Sequence, residues 1–284
     1  MSLRLLSNAF KGRFDDFPLC LDFTPLRPFL FWSNSRYGKG FVAPRFPVQS
    51  HHSVAAILEI FCNMFGIEPT PFDLRMIAFR IPIRVHPSFW IAGLVFNWSP
   101  NHPDLMLLWI MCLFVSILVH ELGHAVMAEA FGWPSEVLLY WCGGLAFSNR
   151  HHNRTHWRDI AVSLAGPFAG FGLFALTVAV AILLKERPHP IVITVISNLF
   201  YINLFWGLVN LLPVYPLDGG QVCQSLLAWS GFRNPVRTSA QISVLAAGAA
   251  AVFFFSYLNQ PFGGMLFAML CLQNLATLQT SEFR

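Results

Sequence analysis

Charged side chains are scarce in this sequence. Only 11% of its 284 residues are Asp, Glu, Lys or Arg, where soluble domains carry about 25%. Joined to a hydrophobic content of 55%, that shortage excludes an ordinary soluble globular domain and points to a multi-pass membrane protein. Long basic runs are missing as well. A net charge of +4 on scattered Lys and Arg is too small to argue for nucleic acid. The six cysteines, Cys20, Cys62, Cys112, Cys142, Cys223 and Cys271, form no CxxC pair. Neither a disulfide framework nor a cysteine-rich zinc site is expected from them. The first residues, "MSLRLLSNAFKGRFDDF", regain charge before any sustained apolar core, so no cleaved signal peptide is expected.

What the chain does have is apolar runs. Six candidate spans fall at about 88–100, 105–130, 160–184, 191–212, 239–257 and 263–278. The first is short for a hydrocarbon core of about 30 Å and could be tilted or re-entrant. Asp104 can cap the second, which ends near Gly132 and Pro134. "FRIPIRVHPSFW" (79–90) alternates briefly like a strand, and "SEVLLYWCGGLAFSN" (135–149) reads as one or two short strands with a Gly-Gly bend. "SVAAILEIFCNMFGI" (53–67) can form an amphipathic helix. The expected fold is an all-α polytopic membrane protein, with about six transmembrane helices and a small membrane-associated β element between helices two and three. Lys and Arg concentrate before residue 88, at Arg150, Arg154 and Arg158, and at Arg233 and Arg237. With six spans these regions share one side, which puts both termini in the cytoplasm; Lys185 and Arg187 oppose this weakly.

The stretch "ILVHELGHAVM" (117–127) ends the second run with His120, Glu121 and His124. Histidines four apart on a helix share one face and can reach a single metal ion. Imidazole nitrogens suit tetrahedral zinc. Glu121 can then take a proton from an attacking water and return it to a leaving amine. A pair of buried histidines satisfying one another is the plainer alternative, but ionisable groups at membrane depth are costly and tend to be functional.

A two-histidine site needs a third protein ligand. "NLLPVYPLDGG" (210–220) offers Asp218, the only acidic residue between Glu186 and Glu282. Pro213 and Pro216 break the helix before it, and irregular backbone at membrane depth must line a cavity or be buried in protein. Gly219 and Gly220 would permit a close approach. The alternative is an interfacial turn in which Asp218 caps the following helix.

In this order and context, the two motifs resemble the site-2 protease family of intramembrane zinc metalloproteases. "IPIRVHPSFW" is similar to the family's strand leading into its first helix, and "SLAGPFAG" (163–170) to its glycine-proline segment. The resemblance implies one Zn2+ per chain held by His120, His124 and Asp218, with Glu121 as general base. It implies that Asn210 bonds substrate or the developing oxyanion; a polar helix–helix contact is the alternative. It also implies that the strands around Gly143 and Gly144 form an edge for an unwound substrate segment, although these glycines could equally be a hairpin turn.

Three parts follow: an N-terminal cytoplasmic or membrane-surface extension (1–78), a site-2 protease-like catalytic membrane core (79–230), and two additional C-terminal transmembrane helices (231–284). The expected activity is hydrolysis within or near transmembrane segments of membrane proteins. The expected partners are such transmembrane-helix substrates, the lipid bilayer and a regulatory membrane protein, in a bacterial cell membrane. A metal-ion transporter or a metal-binding scaffold is the competing reading. Transport would need polar residues toward both faces, and only Asn198, Asn203 and Asn210 extend that way. His86, His151, His152 and His156 are read as surface or loop histidines.

Overall fold

The computed structural model describes residues 69–149, 153–184 and 189–282. The expected helix at 53–67, His151, His152 and the charged turn after Leu184 lie outside the described residues.

The first described elements are strands β1 (Leu74–Ala78) and β2 (Ile81–Val85), antiparallel with Met76 opposite Ile83. Ile81, Ile83 and Val85 are buried while Pro82 is exposed, the period of a strand with one covered face. The boundary expected after residue 78 therefore falls in the turn between two paired strands, and the sheet begins before it. Helix α1 (Pro87–Phe96) and helix α2 (Pro103–Ala130) follow. They supply the crossover that lets β3 (Ser135–Tyr140) pair parallel to β2, Ile83 opposite Val137. Strand β4 (Gly143–Ser148) turns back antiparallel to β3, Leu139 opposite Gly144. The sheet order is β1-β2-β3-β4, which leaves β4 at one edge. The β3–β4 hairpin follows α2 and precedes α3 in the chain, and is half of a larger sheet.

The remaining helices are α3 (His156–Leu183), α4 (Pro190–Asn210), α5 (Asp218–Trp229), α6 (Pro235–Ser256) and α7 (Pro261–Glu282). Proline opens α1, α2, α4, α6 and α7, a position where its missing N–H has no intrahelical partner to lose. Asp104 lies in the first turn of α2, whose N-cap is His102.

Among the described residues five helices, α2, α3, α4, α6 and α7, are long and apolar enough to cross a membrane, and the chain is an integral membrane protein. The first of the six expected spans is not among them. At 10 residues, α1 covers about 15 Å, half the hydrocarbon thickness. Helix α5, 12 residues long, is the kind of helix that the capping alternative for Asp218 put after it, but no bounds were expected for it. Leu176, Ile182, Leu183, Leu245 and Met265 are exposed, the outward apolar surface that lipid solvates.

Two buried clusters position the site. One joins Ile81, Ile83, Val85, Val137 and Leu139 of the sheet to Ile117 and Ala125 of α2. The other joins Val214 to Ala247, Ala251 and Phe254 of α6 and Phe267 and Leu270 of α7. Helices α2 and α3 approach so closely that a Cβ on Gly123 would lie 2.5 Å from the Ala165 carbonyl oxygen. His86, expected at a surface or loop, is buried as the N-cap of α1, accepting from Ser88 N–H at 3.2 Å. Exposure at the head of α3 agrees with the reading of His156.

Candidate metal centre

Helix α2 carries His120 and His124 one turn apart on its buried side. His124 Nδ1–H donates to the Val162 carbonyl of α3 at 2.7 Å. That bond fixes the ring and leaves Nε2 of the neutral imidazole with a lone pair only. Room for the ring comes from Gly166, where an added Cβ would collide with His124 Nε2.

Asp218 reaches the same point from 98 positions further along the chain. Its Oδ2 is 3.1 Å from His120 Nε2 and its Oδ1 is 3.3 Å from His124 Nε2. The two Nε2 atoms are 3.2 Å apart. A tetrahedral ion with bonds of about 2.0–2.1 Å sets its ligand atoms about 3.3 Å apart. The two Nε2 atoms have that spacing and each carboxylate oxygen has it to one of them, so the three buried side chains offer donors for such an ion. His120 Nδ1 is buried as well, with no hydrogen-bond partner among the described residues.

The loop before Asp218 explains its aim. Helix α4 ends at Asn210, and Asp218 is the first residue of α5, where a negative charge suits the helix N-terminus. The N-cap is Leu217, with no side-chain capping bond; the Asp218 carboxylate turns to the histidines instead. Gly219 and Gly220 make the expected close approach. Added Cβ atoms there would collide with the Leu211 carbonyl and the Tyr215 nitrogen.

Glu121 is buried beside the pair. Its carboxylate accepts from Ala146 N–H of β4, and a Cβ on Gly144 would collide with its Cγ, Cδ and Oε1. Gly144 therefore makes space for Glu121, a role its sequence context does not signal. Gly143 opens β4 at φ 123°, a conformation that favours glycine, and Trp206 of α4 packs against it. Asn210, half-buried at the end of α4, donates to the Trp206 carbonyl one turn back at 3.0 Å. That is neither the helix–helix contact nor a contact with the metal-binding residues. The Val162 carbonyl and Ala146 N–H were not foreseen, since backbone groups leave no mark in a sequence.

Five membrane-length helices among the described residues, with a buried His-Glu-His set met by a distant aspartate, define an integral membrane protein with a candidate metal-binding centre. The model of peptidase family M50 matches residues 108–188 and 185–256, and the chain belongs to that family. The chain is 36% identical over 164 residues to a protein of Synechocystis sp. provisionally named a zinc metalloprotease, covering 52% of this chain and 42% of that one. It is 33% identical over 143 residues to stage IV sporulation protein FB of Bacillus subtilis, covering 50% and 46%. Against a solved site-2 protease from Methanocaldococcus jannaschii the identity is 22% and the TM-score 0.46, covering 74% of this chain and 94% of that one. The chain spans less than half the length of these two curated relatives.

Proposed function

We propose that the protein is an intramembrane zinc endopeptidase, hydrolysing peptide bonds within or near transmembrane segments of other membrane proteins. The observation that carries this reading is the convergence of His120, His124 and Asp218 donors at 3.1–3.3 Å, with Glu121 buried beside them. Zinc, when bound, supplies a Lewis acid for the scissile carbonyl and makes water a better nucleophile. The chain's own residues do the rest. Glu121 takes the proton from the attacking water and delivers it to the leaving nitrogen. Val162 holds His124 in the tautomer a ligand needs. Asn210 spends one amide hydrogen on Trp206 and has a second for a substrate carbonyl or oxyanion.

A helix hides its carbonyls, so the substrate must unwind. Its extended segment would add to the outer edge of β4 at Gly143 and Gly144, beside the strand's contact with Glu121. The substrates in this reading are transmembrane-helix proteins met in the bilayer, with selection by residues 1–78 or by a regulatory membrane protein. Residues 79–230, together with the strand β1 that pairs with β2, form the catalytic core in this reading, within a bacterial cell membrane with both termini cytoplasmic. Five crossings by the described helices would leave the two ends of the described chain on opposite sides, and in this reading α1 and its flanks complete a sixth passage. Metal transport is disfavoured because Asn203, which could continue a polar path, spends its amide hydrogens on Ser116 Oγ at 2.9 Å and on the Leu199 carbonyl.

The test is the purified chain in lipid nanodiscs with a panel of transmembrane peptides, the products read by mass. Cleavage that a zinc chelator stops and added zinc restores is expected. Cleavage indifferent to the chelator would contradict the proposal.

A further inference from the structure

The spacing of the metal-binding residues does not explain what keeps Asp218 in place. Seven residues, 211–217, separate it from the end of α4, and Pro213 and Pro216 bring no amide hydrogen to anchor them. The anchor comes from the last two helices. Tyr215 N–H donates to Ser243 Oγ of α6 at 2.9 Å. The Tyr215 carbonyl accepts from Asn274 Nδ2 of α7 at 2.7 Å. Ser243 is 0% and Asn274 2% exposed. Beside them Val214 is sealed into the apolar cluster of α6 and α7. Gly220 packs directly on the Val214–Tyr215 backbone, so a shift of that backbone is passed to the first turn of α5, where Asp218 stands.

A buried amide within an apolar helix is costly unless both its hydrogens are used. Asn274 gives one to Leu270 of its own helix at 2.8 Å, the local solution. The other goes to Tyr215, 59 positions away. Asn274 also lies beyond residue 256, where the family match ends.

We propose that α6 and α7 set the position of the third metal ligand, with Ser243 and Asn274 as positioning residues for Asp218. The proposal rests on the reading of Asp218 as a ligand. It gives the two C-terminal helices a part in the metal site.

The experiment uses the full chain in nanodiscs and four variants: Ser243→Ala, Asn274→Leu, Asp218→Asn and Leu272→Ala, the last on the exposed face of α7. Zinc affinity is measured by chelator competition, the visible spectrum of the Co2+-loaded protein is recorded, and thermal unfolding of the metal-free protein is followed. Ser243→Ala and Asn274→Leu should weaken zinc about 10–100-fold, the usual range for residues that orient a ligand, and shift the Co2+ bands. Leu272→Ala should do neither. Asp218→Asn should bind zinc more weakly than any of them. If Ser243→Ala and Asn274→Leu change the unfolding temperature but leave affinity and spectrum as in wild type, while Asp218→Asn loses zinc, the proposal is overturned and the ligand reading stands. If Asp218→Asn keeps wild-type affinity, the ligand reading falls and takes the proposal with it. Should Asn274→Leu fail to fold, Ser243→Ala decides, since it removes one acceptor and little volume.

Discussion

The two halves of the metal site are built in opposite ways. His120, Glu121 and His124 stand on one 28-residue helix, where the helical repeat alone fixes their mutual placement. Asp218 stands at the head of a 12-residue helix after a proline-broken loop, and its placement depends on the hydrogen bonds that Tyr215 of that loop makes with residues 28 and 59 positions beyond Tyr215. One half is local geometry and the other is tertiary. Damage to the first should be direct, while damage to the second should travel through packing.

Replacing His124 with Ala removes a ligand from the local half. Zinc content by mass spectrometry should fall to background and cleavage with it. Retained zinc would show that the metal sits elsewhere. Gly144→Val tests the other α2 side chain. The new side chain would occupy the space of the Glu121 carboxylate, and displacing a catalytic group by about 1 Å can cost about 10²-fold in rate. Cleavage should therefore drop by about that factor while zinc stays bound. Loss of zinc along with activity would place Gly144 in the support of the metal instead. Gly166→Ala intrudes on the His124 ring from α3. It should weaken zinc about 10–100-fold in equilibrium competition; unchanged affinity would show that α3 yields at no cost.

The smallest effect is expected far from the metal, at the β1–β2 hairpin. Partial burial would raise the Asp73 carboxyl, but hydrogen bonds from the Thr70 hydroxyl and N–H and from Arg84 outweigh it and hold the group below its ordinary value. A depressed carboxylate stabilises the fold fully above its unfolded pKa, and that contribution disappears as pH falls through the folded value. Asp73→Asn should cost under about 1 kcal/mol near pH 7. It should also flatten the acid side of the unfolding-temperature profile below about pH 4. An unchanged acid limb would remove Asp73 from the account.

The same contrast governs what could be read from the sequence. His120 and His124 were legible because helical spacing converts directly into a shared face. The strand at Ile81, Ile83 and Val85 was legible through its alternation. Asp218 stood out as a lone acid between prolines and glycines, so its identity was readable although its means of support was not. At α1 the run "SFWIAGLVF" was already short for the bilayer and open to a tilted or re-entrant course, and the helix stops at Asn97 after ten residues. Helix α5 entered only through the alternative in which Asp218 caps a following helix; its extent stayed unread because a short segment mixing Gln221, Gln224 and Ser225 with apolar residues resembles a connecting loop. Gly144 and Asn274 were opaque for one reason: each acts on a residue that only the folded chain brings near.

The most direct measurement compares wild type with Glu121→Gln, both full length in nanodiscs, for bound zinc per chain and for cleavage of transmembrane peptides. The account predicts equal zinc, near one per chain, with cleavage about 10²–10⁴-fold slower in the variant, the usual worth of a general acid–base group. Cleavage at the wild-type rate by zinc-loaded Glu121→Gln would contradict it.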